Sequence, residues 1–187
     1  MFIVFDGLDG SGKSTQAKQL CKHLNKLDKT YVIRSHPSSD NFFGRMSRRQ
    51  LLLEGWKARI SASLFYLLDV LRSVTIYYWR RVDYVIFVRY LMGTAYLPDA
   101  LYKLGYLFFL RMVPRSPRMF FINTSPLEAH RRIERNRSKK EMFESLEKLE
   151  KVHYKVVQLA SRPEWIVVDG NKPSGEIHQA VLTALGL

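Results

Sequence analysis

Apolar residues fall in two kinds of pattern along this chain. Five short runs are apolar on successive positions: Phe2–Phe5, Tyr31–Arg34, Tyr84–Val88, Met119–Ile122 and Trp165–Val168. Each is rich in aromatic or β-branched residues and none alternates with polar ones. Such runs predict parallel strands covered on both faces. Between them the spacing becomes helical. Lys13–Leu27 places Ala17, Leu20, Cys21, Leu24 and Leu27 on one stripe. Lys139–Ala160 does the same with Met142, Phe143, Leu146, Leu149, Val152, Val156 and Leu159, and Ser138 is placed to cap it. Trp56–Arg81 reads as one long helix, apolar on several sides. Strands alternating with helices predict an α/β three-layer fold: a five-stranded parallel sheet with helices on both faces.

Length changes the picture little: 187 residues are one domain's worth, and no repeat or linker divides 1–187. Cys21 is the single cysteine, so an internal disulfide framework and a cysteine-built zinc site are excluded. A reduced, cytoplasmic setting is expected. The first apolar run is followed by Asp6 and has no basic segment before it, unlike a signal peptide. Leu101–Val113 is strongly apolar but short, and it contains Lys103 and Arg111, so no membrane span is expected. Charge is the unusual bulk property. Thirty Lys and Arg against 17 Asp and Glu give +13. That charge favours polyanions such as nucleotides; nucleic acid is a weaker expectation, because a basic solvated surface explains most of it.

Residues 7–15 read Gly-Leu-Asp-Gly-Ser-Gly-Lys-Ser-Thr. Gly7, Gly12, Lys13 and Ser14 satisfy G-x-x-x-x-G-K-S/T, after a predicted strand and at the start of a predicted helix. Glycines, Gly10 among them, let backbone N–H groups from Asp9, Ser11 and their neighbours through to Thr15 curl around a phosphate. Lys13 brings a charge to the β- and γ-phosphates, the Ser14 hydroxyl can ligate Mg²⁺, and the helix start aims its positive end at the same anion. The loop implies ATP with Mg²⁺, and leaves kinase, GTPase, motor and helicase open. Guanine-reading Asn-Lys-x-Asp is missing: Asn123-Thr-Ser-Pro follows Ile122. Size then favours a small kinase.

Taken together, the motifs resemble the thymidylate kinase family over nearly the whole chain and in the right order. The opening FIVFDGLDGSGKSTQAKQL is similar to that family's phosphate loop, with Asp6 where a Glu is usual. VIFVRYLMGTAY resembles the strand and loop carrying Asp-Arg-Tyr, and FFINTSPLEAHRRIERNR the helix that leads into a lid. KEMFESLEKLEKVHYKVV and WIVVDGNKPSGEI resemble the closing helix, strand and loop. The resemblance implies a nucleoside monophosphate kinase passing the ATP γ-phosphoryl group to dTMP, acting as a homodimer. It also implies that Asp9 faces the acceptor's sugar and that Asp169 shapes a loop beside adenine.

The departures from the family gather on the acceptor side. Val88 stands where the family has Asp, and Arg89 and Tyr90 match. Arg89 ends a buried strand, where ligands sit in open α/β sheets, and is expected to clamp the acceptor phosphate. His36-Pro37 replaces a Phe-Pro or Glu-Pro pair, with Arg45 following as a second basic contact. The thymine-reading arginine of the third helix falls at Val70, beside Asp69, with Arg72 two residues on. Tyr96 lies near an acceptor-contacting polar position. Phe42, Phe43, Phe65 and Tyr66 are candidates for stacking on the base. In the predicted lid, near 131–141, Arg132, Arg135 and Arg137 can neutralise the equatorial oxygens of a transferring phosphoryl group. The surplus apolar residues of Trp56–Arg81 and Leu101–Val113 suit a dimer face.

Two rivals remain at this point. One is a phosphotransferase for another nucleotide, a nucleoside or a small metabolite. The other is a nucleotide-binding protein without kinase activity. A nucleoside acceptor needs a carboxylate base, which Val88 takes away, and a mere sensor has no use for lid arginines.

Overall fold

The computed structural model describes residues 1–53, 55–136 and 145–187. Five strands form one parallel sheet: β1 (Phe2–Asp6), β2 (Tyr31–Ser35), β3 (Tyr84–Val88), β4 (Arg118–Asn123) and β5 (Trp165–Asp169), in the order β2-β3-β1-β4-β5. The helices are α1 (Lys13–Lys26), α2 (Phe42–Leu51), α3 (Trp56–Ser73), α4 (Tyr102–Met112), α5 (Pro126–Asn136), α6 (Leu146–Ala160) and α7 (Ser174–Leu185).

The continuous apolar runs resolve into two cores because successive strand side chains point to opposite faces. Ile3, Phe5, Ile86, Val88, Phe120 and Ile122 pack under α1 and α7, against Ala17, Leu20, Leu24, Ile177, Val181 and Leu182. Phe2, Val4, Val85, Phe87, Met119 and Phe121 face Tyr66, Val70, Tyr106, Phe109, Val152 and Val156 of α3, α4 and α6. Coverage on both faces holds for the three inner strands. It fails at the edges: Ile33 on β2 and Val167 on β5 are exposed. Each edge strand lacks a neighbour on one side, and the helices do not reach that far round the twisted sheet.

Other expectations are corrected in detail. The long helix over Trp56–Arg81 is α-helical only to Ser73, continues as one π-helical turn at Val74–Tyr78, and stops. Val74, Thr75 and Ile76 are β-branched, which crowds a regular helix. The closing helix begins, among the described residues, at Leu146 with Ser145 in the capping position; Ser138, Met142 and Phe143 lie outside the described residues. The segment Trp56–Tyr78 is long and apolar enough to cross a membrane by composition alone. In the fold its inner face, which includes Tyr66, Asp69, Val70 and Ser73, is buried.

Strand pairing aligns the C-terminal ends. Phe5 pairs with Val88 and Phe120, Ser35 with Val88, and Asn123 with Asp169. β1 is central: its connection through α1 runs to β2 on one side, whereas the connection from β3 crosses to β4 on the other. A crevice opens there, as at any such switch point.

Candidate active site

The loop leaving β1 cannot be built with side chains at its glycines. A Cβ on Gly10, at φ 77°, would stand 2.3 Å from the Ala129 carbonyl oxygen. One on Gly7 would stand 2.7 Å from that of Ile122. Gly12 enters α1 in the left-handed region without a side-chain cap, and no acidic residue occupies the first turn. The first N–H groups of α1 therefore keep their positive end for an anion. Lys13 folds back beneath the loop: its Nζ donates to the Leu8 carbonyl at 2.6 Å and lies 3.6 Å from Asp9 Oδ1. Ser14 and Thr15 are exposed at the helix start.

A wide cleft of about 820 Å³, part of it open solvent, flanks this loop between Arg132 on α5 and the turn after β5. Arg132 spans the gap, donating from Nη2 to the Gly170 carbonyl at 3.1 Å and from Nε to Glu128 at 2.8 Å. Its Nη1 reaches the Ser11 carbonyl at 3.5 Å. Asp169 does not line the cleft. It accepts from the amide and side chain of Asn171 at 3.0 and 2.9 Å, and that backbone amide, more than any other group, holds its carboxyl below the usual range. Those two bonds tie it to the turn that follows β5. Arg135 is exposed further along α5, and Arg137 lies outside the described residues.

On the other side of the loop is a narrower cleft of about 590 Å³, also partly open. Asp9 forms its centre. Arg89 Nη2 donates to Asp9 Oδ1, and Tyr96 Oη donates to Oδ2 at 3.0 Å. Arg89 has φ 62°, a left-handed conformation that costs a non-glycine residue about 1–2 kcal/mol. The fold maintains it by a bond from its N–H to the Phe5 carbonyl at 2.9 Å and by His36 Nδ1, 2.9 Å from its own carbonyl. With only a carbonyl to meet, His36 donates there.

Asp6 ties the two halves together. One oxygen accepts from the Gly7 amide at 3.1 Å; the other accepts from Tyr90, Leu91 and Met92 at 2.8, 3.0 and 3.0 Å. Burial raises its pKa, and the amide donors and Lys13 pull it back. A single carboxylate thus anchors the phosphate loop to the loop after β3. Val88 pairs with Phe5 next to that cluster but adds no polar group to it; its side chain is buried in the apolar core with Phe5 and Ile86.

Several expected acceptor contacts are not brought to the cleft. Asp69 is fully buried and turned to the segment before α2, where it accepts from the Ser38 amide and hydroxyl, both at 2.6 Å, and from Asn41 at 2.7 Å. Arg72 is half-buried two turns beyond the lining residues of α3, and Phe42 is exposed against Phe43 and Phe65. Arg45 is exposed, its Nη1 3.4 Å from the Ser39 carbonyl. Tyr66 does line the cleft, with Asp9, Arg89 and Tyr96. It donates to the Tyr90 carbonyl at 3.2 Å, and its ring presses on Gly93 so closely that a Cβ there would be 2.6 Å away.

Pro37, which the sequence reading placed on the acceptor side with His36, is in the lining; sequence reasoning missed Ser47, Leu51, Arg59, Ser63 and Met92, which line it too. Only one signal was available for them. From Tyr66, steps of three, four and seven back along a helix reach Ser63, Ala62 and Arg59 on the same face.

The family model for thymidylate kinase matches residues 5–181. A probable thymidylate kinase of Pyrobaculum calidifontis is 28% identical over 99% of this chain and 95% of its own length. A thymidylate kinase of Leptospira interrogans is 28% identical over 97% of this chain and 92% of its own. A probable thymidylate kinase of Methanocaldococcus jannaschii is 28% identical over 97% and 94%.

Proposed function

The chain belongs to the thymidylate kinase family, and from that premise and the two clefts we propose that it passes the γ-phosphoryl group of ATP to the phosphate of dTMP, giving dTDP. One observation carries the reading. Both carboxylates of the narrow cleft are committed, Asp6 to four amides and Asp9 to Arg89 and Tyr96. A hydroxyl acceptor would need a free base. A phosphate acceptor is already an anion and needs only to be held in line.

In this reading the loop from Gly7 to Thr15 wraps the ATP phosphates, with adenine in the wide cleft beside Arg132 and the 171–174 turn. Lys13 leaves the Leu8 carbonyl for the β- and γ-phosphates. Arg89 clamps the acceptor phosphate, while Asp9 and Tyr96 face its sugar. With Arg132 held beside the adenine by Gly170 and Glu128, Arg135 and Arg137 further along the chain are the lid charges that neutralise the transferring group. A preorganised set of donors in a dry cleft supplies most of the rate in such transfers.

The residues fit Mg²⁺. Ser14 offers a hard oxygen at the helix start, and among the described residues no cluster of three or more His, Cys, Asp or Glu competes with it. Mg²⁺ favours such a mixed set of one or two protein oxygens, phosphates and water. When bound there it would offset the phosphate charge, and Ser14 would orient it.

The test is coupled ADP release across the nucleoside monophosphates, with and without Mg²⁺. We expect dTMP to be the best acceptor and ATP hydrolysis without acceptor to be slow. Turnover on another acceptor with none on dTMP would overturn the reading.

The reading also includes a homodimer in the cytoplasm. Leu52, Leu53, Trp56, Leu64 and Ile76 are exposed apolar residues between the end of α2 and the turn after α3, surface that a second copy would cover. Light scattering should give twice the chain mass, and Leu64→Glu should halve it. If Leu104→Glu does so instead, the α4 face is the interface.

A further inference from the structure

The N-terminal edge of the sheet lies opposite the two clefts and carries bare apolar side chains set among arginines. Phe2 opens β1 there and has neighbours from two separate parts of the chain. On one side the Tyr78 ring stands edge-on at 5.3 Å, and Trp79 follows at the end of the π-helical turn. On the other the Ser116 hydroxyl, in the segment leaving α4, donates to the Phe2 carbonyl at 2.6 Å. Trp79 is 77% exposed, more than any other large apolar side chain of the described residues. Arg80 and Arg81 come next and are exposed as well. α4 runs from the cleft side, after Tyr96, down to the start of β4. Leu104, Phe108 and Met112, four residues apart, form one exposed apolar stripe along it. Exposed Arg111 and Arg115 flank the lower end of that stripe.

Charge decides what can cover this face. No Asp or Glu occurs between Asp99 and Glu128, whereas Lys103, Arg111, Arg115 and Arg118 do. Among the described residues none of Arg80, Arg81, Arg111 and Arg115 has a carboxylate partner. Asp83, two residues beyond Arg81, is turned to the Thr30 amide and hydroxyl at 2.8 and 2.7 Å. A second copy docked face to face would bring the same arginines together across a two-fold axis, with no acid to meet them. A nucleic-acid backbone would answer the arginines and leave the stripe on α4 in water. A surface of anionic lipid answers both. Apolar side chains enter the headgroup boundary, and arginines keep their charged ends at the phosphates. Tryptophan is a side chain that such interfaces favour.

We propose that this edge docks the protein on an anionic lipid membrane, as a surface contact and not a span. The clefts open at the C-terminal ends of the strands, so both stay accessible while the protein is docked. The proposal stands apart from the kinase reading, because no residue of either cleft enters it.

The test is flotation of the full chain with vesicles of phosphatidylcholine alone and of phosphatidylcholine mixed with phosphatidylglycerol. Binding should occur on the mixed vesicles only and weaken as salt rises. Arg111→Glu with Arg115→Glu should cut it by about thirtyfold or more, at roughly fivefold per basic residue held at an anionic surface. Trp79→Ser keeps the charge; it should weaken binding and remove the blue shift of tryptophan emission that the mixed vesicles induce. Lys18→Glu with Lys22→Glu makes the same charge change on exposed positions of α1 and should cost far less. An equal loss in that pair would mean that net charge alone attracts the protein, and would overturn the proposal. So would equal binding to both kinds of vesicle, or binding to neither. If the wild type instead binds a single-stranded oligonucleotide and the arginine pair loses it, the face is a nucleic-acid surface and the proposal is wrong. If Phe108→Glu halves the mass in light scattering, a second copy covers it and the proposal is equally wrong. Melting temperatures should stay near wild type throughout, since every replaced side chain is exposed.

Discussion

The two clefts lie on one edge of one sheet and are made by different means. The ATP side is local and made mostly of backbone: a nine-residue loop, the bare start of α1, and a turn shaped by Asp169. The acceptor side is assembled from side chains far apart in sequence. Arg89 reaches Asp9 across 80 positions and Tyr96 reaches it across 87. A backbone cradle tolerates drift elsewhere in the chain, because it needs only glycines at a few dihedral angles. A side-chain cradle changes with every element that carries it. The departures from the family accordingly gather on the second side, at Val88, Val70 and the segment after β2.

The largest effect should come from the ATP side. Lys13→Ala should lower kcat on the order of 10²–10³-fold or more, by analogy with losing one preorganised donor to a developing charge. The melting temperature should fall as well, since Lys13 is buried, bonds the Leu8 carbonyl and offsets the charge of Asp9 and Asp6, so the loss in kcat is read at a temperature where both proteins stay folded. Turnover within a few-fold of wild type would remove the loop from the chemistry.

Next comes Arg89→Ala. It removes the proposed acceptor clamp and leaves Asp9 buried beside Tyr96 and Lys13. Truncating one partner of a buried pair costs about 2–5 kcal/mol, or roughly 30- to 5,000-fold in kcat/KM. The loss should fall on dTMP and spare the KM for ATP. An equal rise in both KM values would mean that the two sides are not separable.

The wall of the acceptor side should also be the more acid-sensitive. His36 is buried against Phe87 and Tyr66, and burial lowers its pKa to about 4. It is neutral in the fold, while the unfolded chain protonates it below about 6.5. Between pH 6.5 and 4 the unfolded state binds the extra proton, so its contribution to stability falls as the pH falls, by up to about 3 kcal/mol. Urea titrations of wild type and His36→Gln should converge towards pH 4. Parallel curves would show that His36 titrates normally.

The smallest effect is expected where the sequence pattern pointed and the fold did not follow. Arg45 is exposed outside the cleft. Arg45→Ala should change the KM for dTMP by less than about threefold, in keeping with the ~0–1 kcal/mol of an exposed charge. A tenfold rise would mean that α2 closes over the acceptor.

Sheet and phosphate loop were readable because their causes are local. Continuous apolar runs require two covers, and G-x-x-x-x-G-K-S requires a phosphate. Even the face of each strand residue follows from a period of two. The edges misled, because a run of apolar residues does not say which strand lacks a neighbour: Ile33 and Val167 look like Val4 until the order of strands is known. α2 and α7 were missed although their caps stand in the sequence: Asn41 caps α2 by accepting from the Gly44 amide, and Gly186 closes α7 in the left-handed region.

The chain by itself determined the fold class, the phosphate loop and the place of Arg89 at the end of β3; that Arg89 pairs with Asp9 was decided by the fold. Tertiary structure decided the rest of the acceptor cleft. It took Asp69 to hold Ser38 and Asn41, buried Val70 and Val88 in the two cores, left Phe42 and Arg45 outside, and brought Arg59 in. The reason is geometric. A residue's place along α3 is fixed by the sequence, but the face of α3 that looks into the cleft is set by how the helix seats on β3 and against Gly93. A rotation of one residue, about 100°, would have exchanged one set for another.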